Sequence, residues 1–141
     1  MRRDRQRLND ILEVLDWIAK AVSGRTEGDF LADETLCYAV AQKLTIIGEA
    51  VARLSPELTA RHNSVPWPDI VGLRNILVHE YFGIYWPFVW QTVVDHAPVL
   101  RGQIAEILAQ MPDIVQSLAG VDLKKFLKDK LSPATEDKEK K

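Results

Sequence analysis

Apolar residues in the first part of the chain recur at intervals of three and four: Leu8, Ile11, Leu12, Leu15, Ile18 and Val22. That spacing places them on one face of a helix, predicted from Asp4 to Val22 and stopped by Ser23-Gly24. Residues 25–33 show no such period and read as a loop, with Phe30 and Leu31 anchoring it to the core. A second stripe, Leu36, Val40, Leu44, Ile47, Val51 and Leu54, predicts a helix from about Asp33 to Leu54. Asp33 suits its N-cap, and Glu34 suits the positively polarised first turn. Gly48 falls mid-helix, where it costs about 1 kcal/mol relative to Ala, and is expected to mark the close approach of another helix.

Ser55-Pro56 ends this second helix and opens a short helical turn over residues 56–62, before the break Asn63-Ser64-Val65-Pro66-Trp67-Pro68. Pro68 fits the first position of a third helix, where its missing N–H is harmless, and Asp69 fits the first turn. This helix should turn Ile70, Leu73, Ile76 and Leu77 inward and reach the His79–Tyr81 region, with Gly83 as its C-terminal cap. A fourth helix begins near Pro87, with Val89, Val93, Ala97, Leu100, Ile104, Ile107 and Met111 as its stripe. Pro98 inside that stripe predicts a kink, and Pro112 closes the helix. No segment alternates with a period of two, so the pattern predicts an all-α, four-to-five-helix bundle over residues 1–112. Residues 113–131 form an extension in which Leu123, Phe126, Leu127 and Leu131 make a short amphipathic helix, and residues 132–141 read as a disordered tail.

Composition narrows the class. Of 141 residues, 47% are hydrophobic and 27% charged, the balance of a globular domain with a sizeable core. No apolar run approaches the roughly 18 residues of a membrane span. The charged start, Met1-Arg2-Arg3-Asp4-Arg5, has no apolar stretch behind it, as a secretory signal would. The single cysteine, Cys37, has no internal disulfide partner and reads as a small core residue, which fits a cytoplasmic setting. The net charge is −2, so bulk positive charge does not hold a polynucleotide. Local basic groups would have to do so: Arg74 and the cluster Arg2, Arg3, Arg5 and Arg7.

The stretch Arg74-Asn75-Ile76-Leu77-Val78-His79-Glu80-Tyr81 concentrates the candidate chemistry. A guanidinium grips phosphate oxygens in a fork and stabilises transition-state charge. A histidine can both take and give a proton near neutrality, worth roughly 10²–10⁴-fold. With RNA the 2′-hydroxyl is an internal nucleophile, so this pair could cleave a phosphodiester without a metal or other cofactor. Asn75 could orient His79 or a phosphate oxygen, and Tyr81 could donate to phosphate or stack on a base. On an ideal helix, however, Arg74 and His79 lie about 140° apart, whereas Asn75 and His79 share a face, as do Arg74 and Tyr81. Convergence requires that the helix end before His79, or that two copies share one cleft. The bland alternative is a salt bridge from Arg74 to Asp69 or a neighbouring acid, with His79 favoured as a cation at a helix C-terminus. His62, His79 and His96 show no metal-ligand spacing, and His62 and His96 read as surface residues.

This octet has the form R-x-x-x-x-H-x-Y and lies within the run from Pro66 to Gly83. With Ile46-Ile47-Gly48-Glu49-Ala50 upstream and the opening Arg2-Arg3-Asp4, it closely resembles the HepT family of HEPN-domain toxins, from about residue 2 to residue 110. The resemblance implies a helical bundle that forms a homodimer with a composite cleft. It further implies a metal-independent endoribonuclease, the toxin of a type VII toxin–antitoxin pair. On that likeness Arg74 and His79 are catalytic, Asn75 supports them, and Tyr81 accepts AMP from an MNT-type nucleotidyltransferase antitoxin. Many relatives carry an aspartate that would cap the fourth helix where this chain has Tyr85, so that cap must come from elsewhere. The rival expectation is a non-catalytic helical dimer that only binds a nucleotidyltransferase.

Overall fold

A computed structural model describes residues 2–111; the expected extension and tail, residues 113–141, lie outside the described residues. The elements are α1 (Arg2–Val22), α2 (Glu27–Ala32), α3 (Glu34–Ala52), α4 (Pro56–Arg61) and α5 (Trp67–His79). A 3₁₀ turn (Tyr81–Gly83), α6 (Trp86–Gln91), a π turn (Thr92–His96) and α7 (Ala97–Gln110) complete the order. The fold is all-α, with no strand among the described residues. No helix among those residues is long and apolar enough to cross a membrane.

The core follows the predicted stripes. Leu8, Ile11, Leu15 and Ile18 of α1 are buried against Val40, Leu44, Ile47 and Val51 of α3 and Ile104 and Ile107 of α7. Fully burying one such side chain contributes about 1.5–3 kcal/mol, so these faces supply most of the drive to fold. Asp4 is the one buried charged residue among those described. Its carboxylate accepts from the Ser55 N–H (2.9 Å) and the Ser55 hydroxyl (2.6 Å), while the same hydroxyl accepts from the Leu58 N–H to cap α4. Burial pushes the Asp4 carboxyl up, but the two hydrogen bonds from Ser55 outweigh it and leave its pKa below the ordinary value.

Several expectations are corrected. Residues 27–32 are helical because Thr26 and Asp29 form a reciprocal capping box, which the search for apolar periodicity passes over. Phe30 is fully buried as expected, against Trp86 and Trp90, but Leu31 faces solvent. Asp33 does cap α3, accepting from the Leu36 N–H. The third helix begins at Trp67, so Pro68 is its second residue, and it ends on Glu80. Gly83 lies in the 3₁₀ turn without positive φ; the left-handed position among the described residues is Gly24, just past α1. Ile76 points outward, leaving Leu77 as the buried aliphatic of that turn.

The kink expected at Pro98 takes the form of a π turn. Proline lacks an N–H and its ring crowds the carbonyl four residues back. One turn earlier the ladder widens, so that the Ala97 N–H donates to the Thr92 carbonyl, five residues back. The stripe survives this shift, with Val89, Val93, Ile104 and Ile107 all buried. Tyr85 precedes α6 without a side-chain cap. Pro87 in the first turn removes one N–H that would need a partner, and the Tyr85 carbonyl accepts from the Phe88 N–H.

Candidate active site

Helices α3 and α5 run antiparallel, a direction set by two contacts. Tyr38 stacks on Tyr81 near one end of the pair, with ring centroids 5.4 Å apart, and Gly48 meets Arg74 further along. A methyl group on Gly48 would collide with the Arg74 Cβ and stand 2.8 Å from its Cγ and 3.3 Å from the Ile70 carbonyl oxygen. The mid-helix glycine therefore marks a close helix approach, as its position predicts, and the residue it admits is the candidate catalytic arginine.

Arg74 Nη1 donates to Glu49 Oε1 at 2.5 Å, with the arginine side chain about one-fifth exposed and the glutamate about half. The neighbouring acid is thus Glu49 on the facing helix, not Asp69 one turn back. Arg74 Nε is buried without a hydrogen-bond partner, an arrangement that costs free energy unless something else uses the guanidinium. End-on pairing through one Nη1 hydrogen leaves most of the five-donor fork uncommitted.

His79 is the last residue of α5 and is exposed, as is Asn75 one turn before it. The helix does not end ahead of His79, so the wheel applies and the imidazole stands about 140° around the axis from Arg74. Among the described residues no hydrogen bond joins the side chains of Arg74, Asn75 and His79 to one another; Asn75 and His79 are linked only through the backbone ladder of α5. Tyr81 lies past the helix end in the 3₁₀ turn, yet it faces the same neighbour as Arg74. Its ring packs on Tyr38, which in turn meets Trp86 edge-on at 5.0 Å, and about half of the residue remains exposed. Phe82 beside it is almost wholly exposed.

The structure thus brings Arg74 and Tyr81 against the same helix, α3, and leaves His79 and Asn75 on another face of α5. The residue reading missed two neighbours, Glu49 and Tyr38. Glu49 could have been flagged by its place beside the mid-helix glycine; Tyr38 carries no such signal. Cys37 is buried, its thiol donating to the Phe30 carbonyl oxygen at 3.1 Å, and burial pushes its pKa up. Among the described residues no group of three His, Cys, Asp or Glu side chains is placed to hold a metal ion. His96 is exposed and His62 partly so, both away from Arg74 in sequence and element.

The described residues form an all-α bundle in which one helix, α5, carries both Arg74 and His79, on different faces. Residues 11–107 match the family described as Ribonuclease HepT-like, and the chain belongs to that family. A protein of Caldanaerobacter subterraneus subsp. tengcongensis named as a candidate RNase is 39% identical over 108 residues, 77% of this chain and 96% of its own. One from Methanocaldococcus jannaschii, also named as a candidate RNase, is 34% identical over 97 residues, 69% of this chain and 89% of its own. One from Thermococcus cleftensis, named as a probable ribonuclease HepT, is 32% identical over 100 residues, 71% of this chain and 91% of its own. No solved structure matches at the same level of significance.

Proposed function

We propose that the protein is an endoribonuclease whose cleft forms between two copies of the chain. The observation that carries this reading is the placement of Arg74 and His79 on different faces of one continuous helix, within a chain of the Ribonuclease HepT-like family. One helix cannot aim both groups at one phosphate; two α5 helices related by a two-fold axis can. Exposed Ile76 and Val78 on the same helix supply apolar surface for such a meeting.

In this reading one His79 takes the proton from a 2′-hydroxyl, and the 2′-oxygen forms a bond to phosphorus. The bond from phosphorus to the 5′-oxygen breaks, and the second His79 protonates the departing oxygen. The products are a 2′,3′-cyclic phosphate and a 5′-hydroxyl, and no water or metal is consumed. Arg74 holds the phosphate oxygens as charge builds on them, and Asn75, sharing a face with His79, orients the imidazole or the phosphate. RNA incubated with purified protein in EDTA should be cleaved, with at least about 100-fold loss in His79→Ala and in Arg74→Ala. Cleavage that survives both substitutions, or that EDTA abolishes, would remove this mechanism.

Control of the toxin is read as AMP transfer to Tyr81 by an MNT-type nucleotidyltransferase antitoxin. The half-exposed phenol gives up its proton to solvent as its oxygen attacks the α-phosphorus of ATP; the new O–P bond forms, the bond from the α-phosphorus to the bridging oxygen breaks, and pyrophosphate leaves with that electron pair. The added phosphate charge beside Arg74 would repel and compete with substrate phosphates. Intact mass after incubation with the partner and ATP should rise by one or more AMP units in wild type and not in Tyr81→Phe. The Arg74–Glu49 bond favours a second reading, a helical dimer that binds a nucleotidyltransferase without cutting RNA. Growth arrest on expression without the partner, lost in His79→Ala, decides for the enzyme.

A further inference from the structure

The face of α3 that holds the candidate site continues into a groove that the proposed chemistry leaves unused. Between α1 and α3 lies a depression of about 670 Å³ lined by Arg3, Arg7 and Asp10 on one side and Glu49 and Arg53 on the other. Glu49 is the same residue that holds Arg74, so groove and site share a wall. On the wheel of α3, Tyr38, Glu49 and Arg53 fall within about 60° of one another, over an axial length of about 22 Å. Three features therefore follow in line: the Tyr38–Tyr81 stack, the Glu49–Arg74 pair, and the arginine groove.

The charges of the groove do not cancel. Three guanidiniums meet two carboxylates, and one of these, Glu49, already faces Arg74. Arg7 spends one N–H on the Arg53 carbonyl at 2.6 Å, near the C-terminal end of α3. The side chains of Arg3 and Arg53 have no hydrogen bond or ion pair among the described residues. Asp10 accepts from Gln6 on its own helix and claims neither arginine. A chain that is acidic as a whole thus gathers uncommitted guanidiniums in one recess, directly beside its candidate catalytic arginine.

We infer that this groove binds the phosphates of single-stranded RNA that flank the one held at Arg74, with Arg3 and Arg53 as the main contacts and Arg7 held in place between them. The inference rests on the ribonuclease reading. A linear polyanion is favoured over an acidic protein surface because the groove prolongs the line through Arg74 and Tyr81, where one phosphate and one base would already be held. Guanidiniums in file suit evenly spaced phosphates.

The test measures binding and cleavage separately, in the full chain. Fluorescence anisotropy of a labelled single-stranded RNA on the His79→Ala protein, over a range of salt, gives affinity and the number of phosphates neutralised. Adding Arg3→Gln and Arg53→Gln should weaken binding about tenfold or more and reduce the slope of log K against log salt by about 1.4, some 0.7 per lost contact. In the active protein the same pair should raise KM with kcat within about twofold, because neither residue touches the reacting phosphate. Lys20→Gln, near the far end of α1, should change neither. Arg3→Glu with Arg53→Glu should deepen the loss while far-UV dichroism stays unchanged. If wild type cleaves RNA and the double variants match it in affinity and slope, the groove inference falls while the ribonuclease reading stands. Variants that release a co-expressed protein but keep RNA affinity also overturn it. Wild type that neither cleaves nor binds RNA removes both.

Discussion

Gly48 and Arg74 occupy one space: the backbone of α3 comes so close to the Arg74 side chain that no Cβ fits at Gly48. A glycine that weakens its own helix is thereby tied to the position of a guanidinium on another. Gly48→Ala gains about 1 kcal/mol of helix propensity but must push α5 or Arg74 aside, which costs typically about 1–3 kcal/mol. The expected balance is a lower urea midpoint together with a fall in RNA cleavage at least as large as that of Glu49→Ala. Unchanged cleavage in a stable Gly48→Ala protein would disconnect the glycine from the site.

Glu49 orients Arg74 through a single hydrogen bond. Glu49→Gln keeps an acceptor of the same shape and should retain most stability. Glu49→Ala leaves the guanidinium without that bond and should cost about 1 kcal/mol, modest because the pair is partly solvated. The separating measurement is kinetic. If Glu49 aims Arg74, cleavage should fall in kcat for Ala and recover substantially for Gln. Equal activity in all three proteins would show that the pair is only a surface contact.

Asp4 binds both the N–H and the hydroxyl of Ser55. Asp4→Ala should destabilise by about 2–3 kcal/mol, since a charge-assisted bond is lost and polar groups of Ser55 lose their partner. The pH dependence has a fixed sign. The folded carboxyl lies below its ordinary value of 3.8, so its contribution is present above that pH and fades as pH falls through the folded pKa. Chemical denaturation between pH 2 and 6 should show a shallower acid loss in Asp4→Asn than in wild type.

Cys37 is 3% exposed, and burial followed by the nearby charges of Asp33 and Glu34 raises its thiol pKa. Alkylation at pH 8 should therefore be slow in the native protein and rapid in urea. The rate ratio should exceed about 100-fold, because both access and thiolate fraction increase on unfolding. Rapid native labelling would mean that the α2–α3 corner opens locally.

The long stripes of α1, α3 and the α6–α7 segment were legible because burying one helical face demands a regular spacing of apolar residues. The helix of residues 27–32 was not, since its stability comes from the Thr26–Asp29 capping box and a single anchor, Phe30. The loss of Gly83 as a cap has a similar cause: α5 ends on Glu80, and the Tyr38–Tyr81 contact then sets the path of the chain. At the site, the sequence placed Arg74 and His79 on diverging faces, and the continuous helix confirms that divergence. It did not place Glu49 against Arg74, because a contact between residues 25 positions apart depends on the register of two helices, which no local pattern encodes.

The π turn at Thr92–His96 amounts to a helix carrying one residue more than its ladder needs. Deleting any one of those five residues would restore a regular ladder, yet it would swing α6 by about 100° about its axis relative to α7. Val89 would leave the core and Trp90 would leave Phe30. Loops on the surface of a bundle can gain or lose residues at little cost. Here the number of residues is itself part of the fold, and a length change should be less well tolerated than most substitutions.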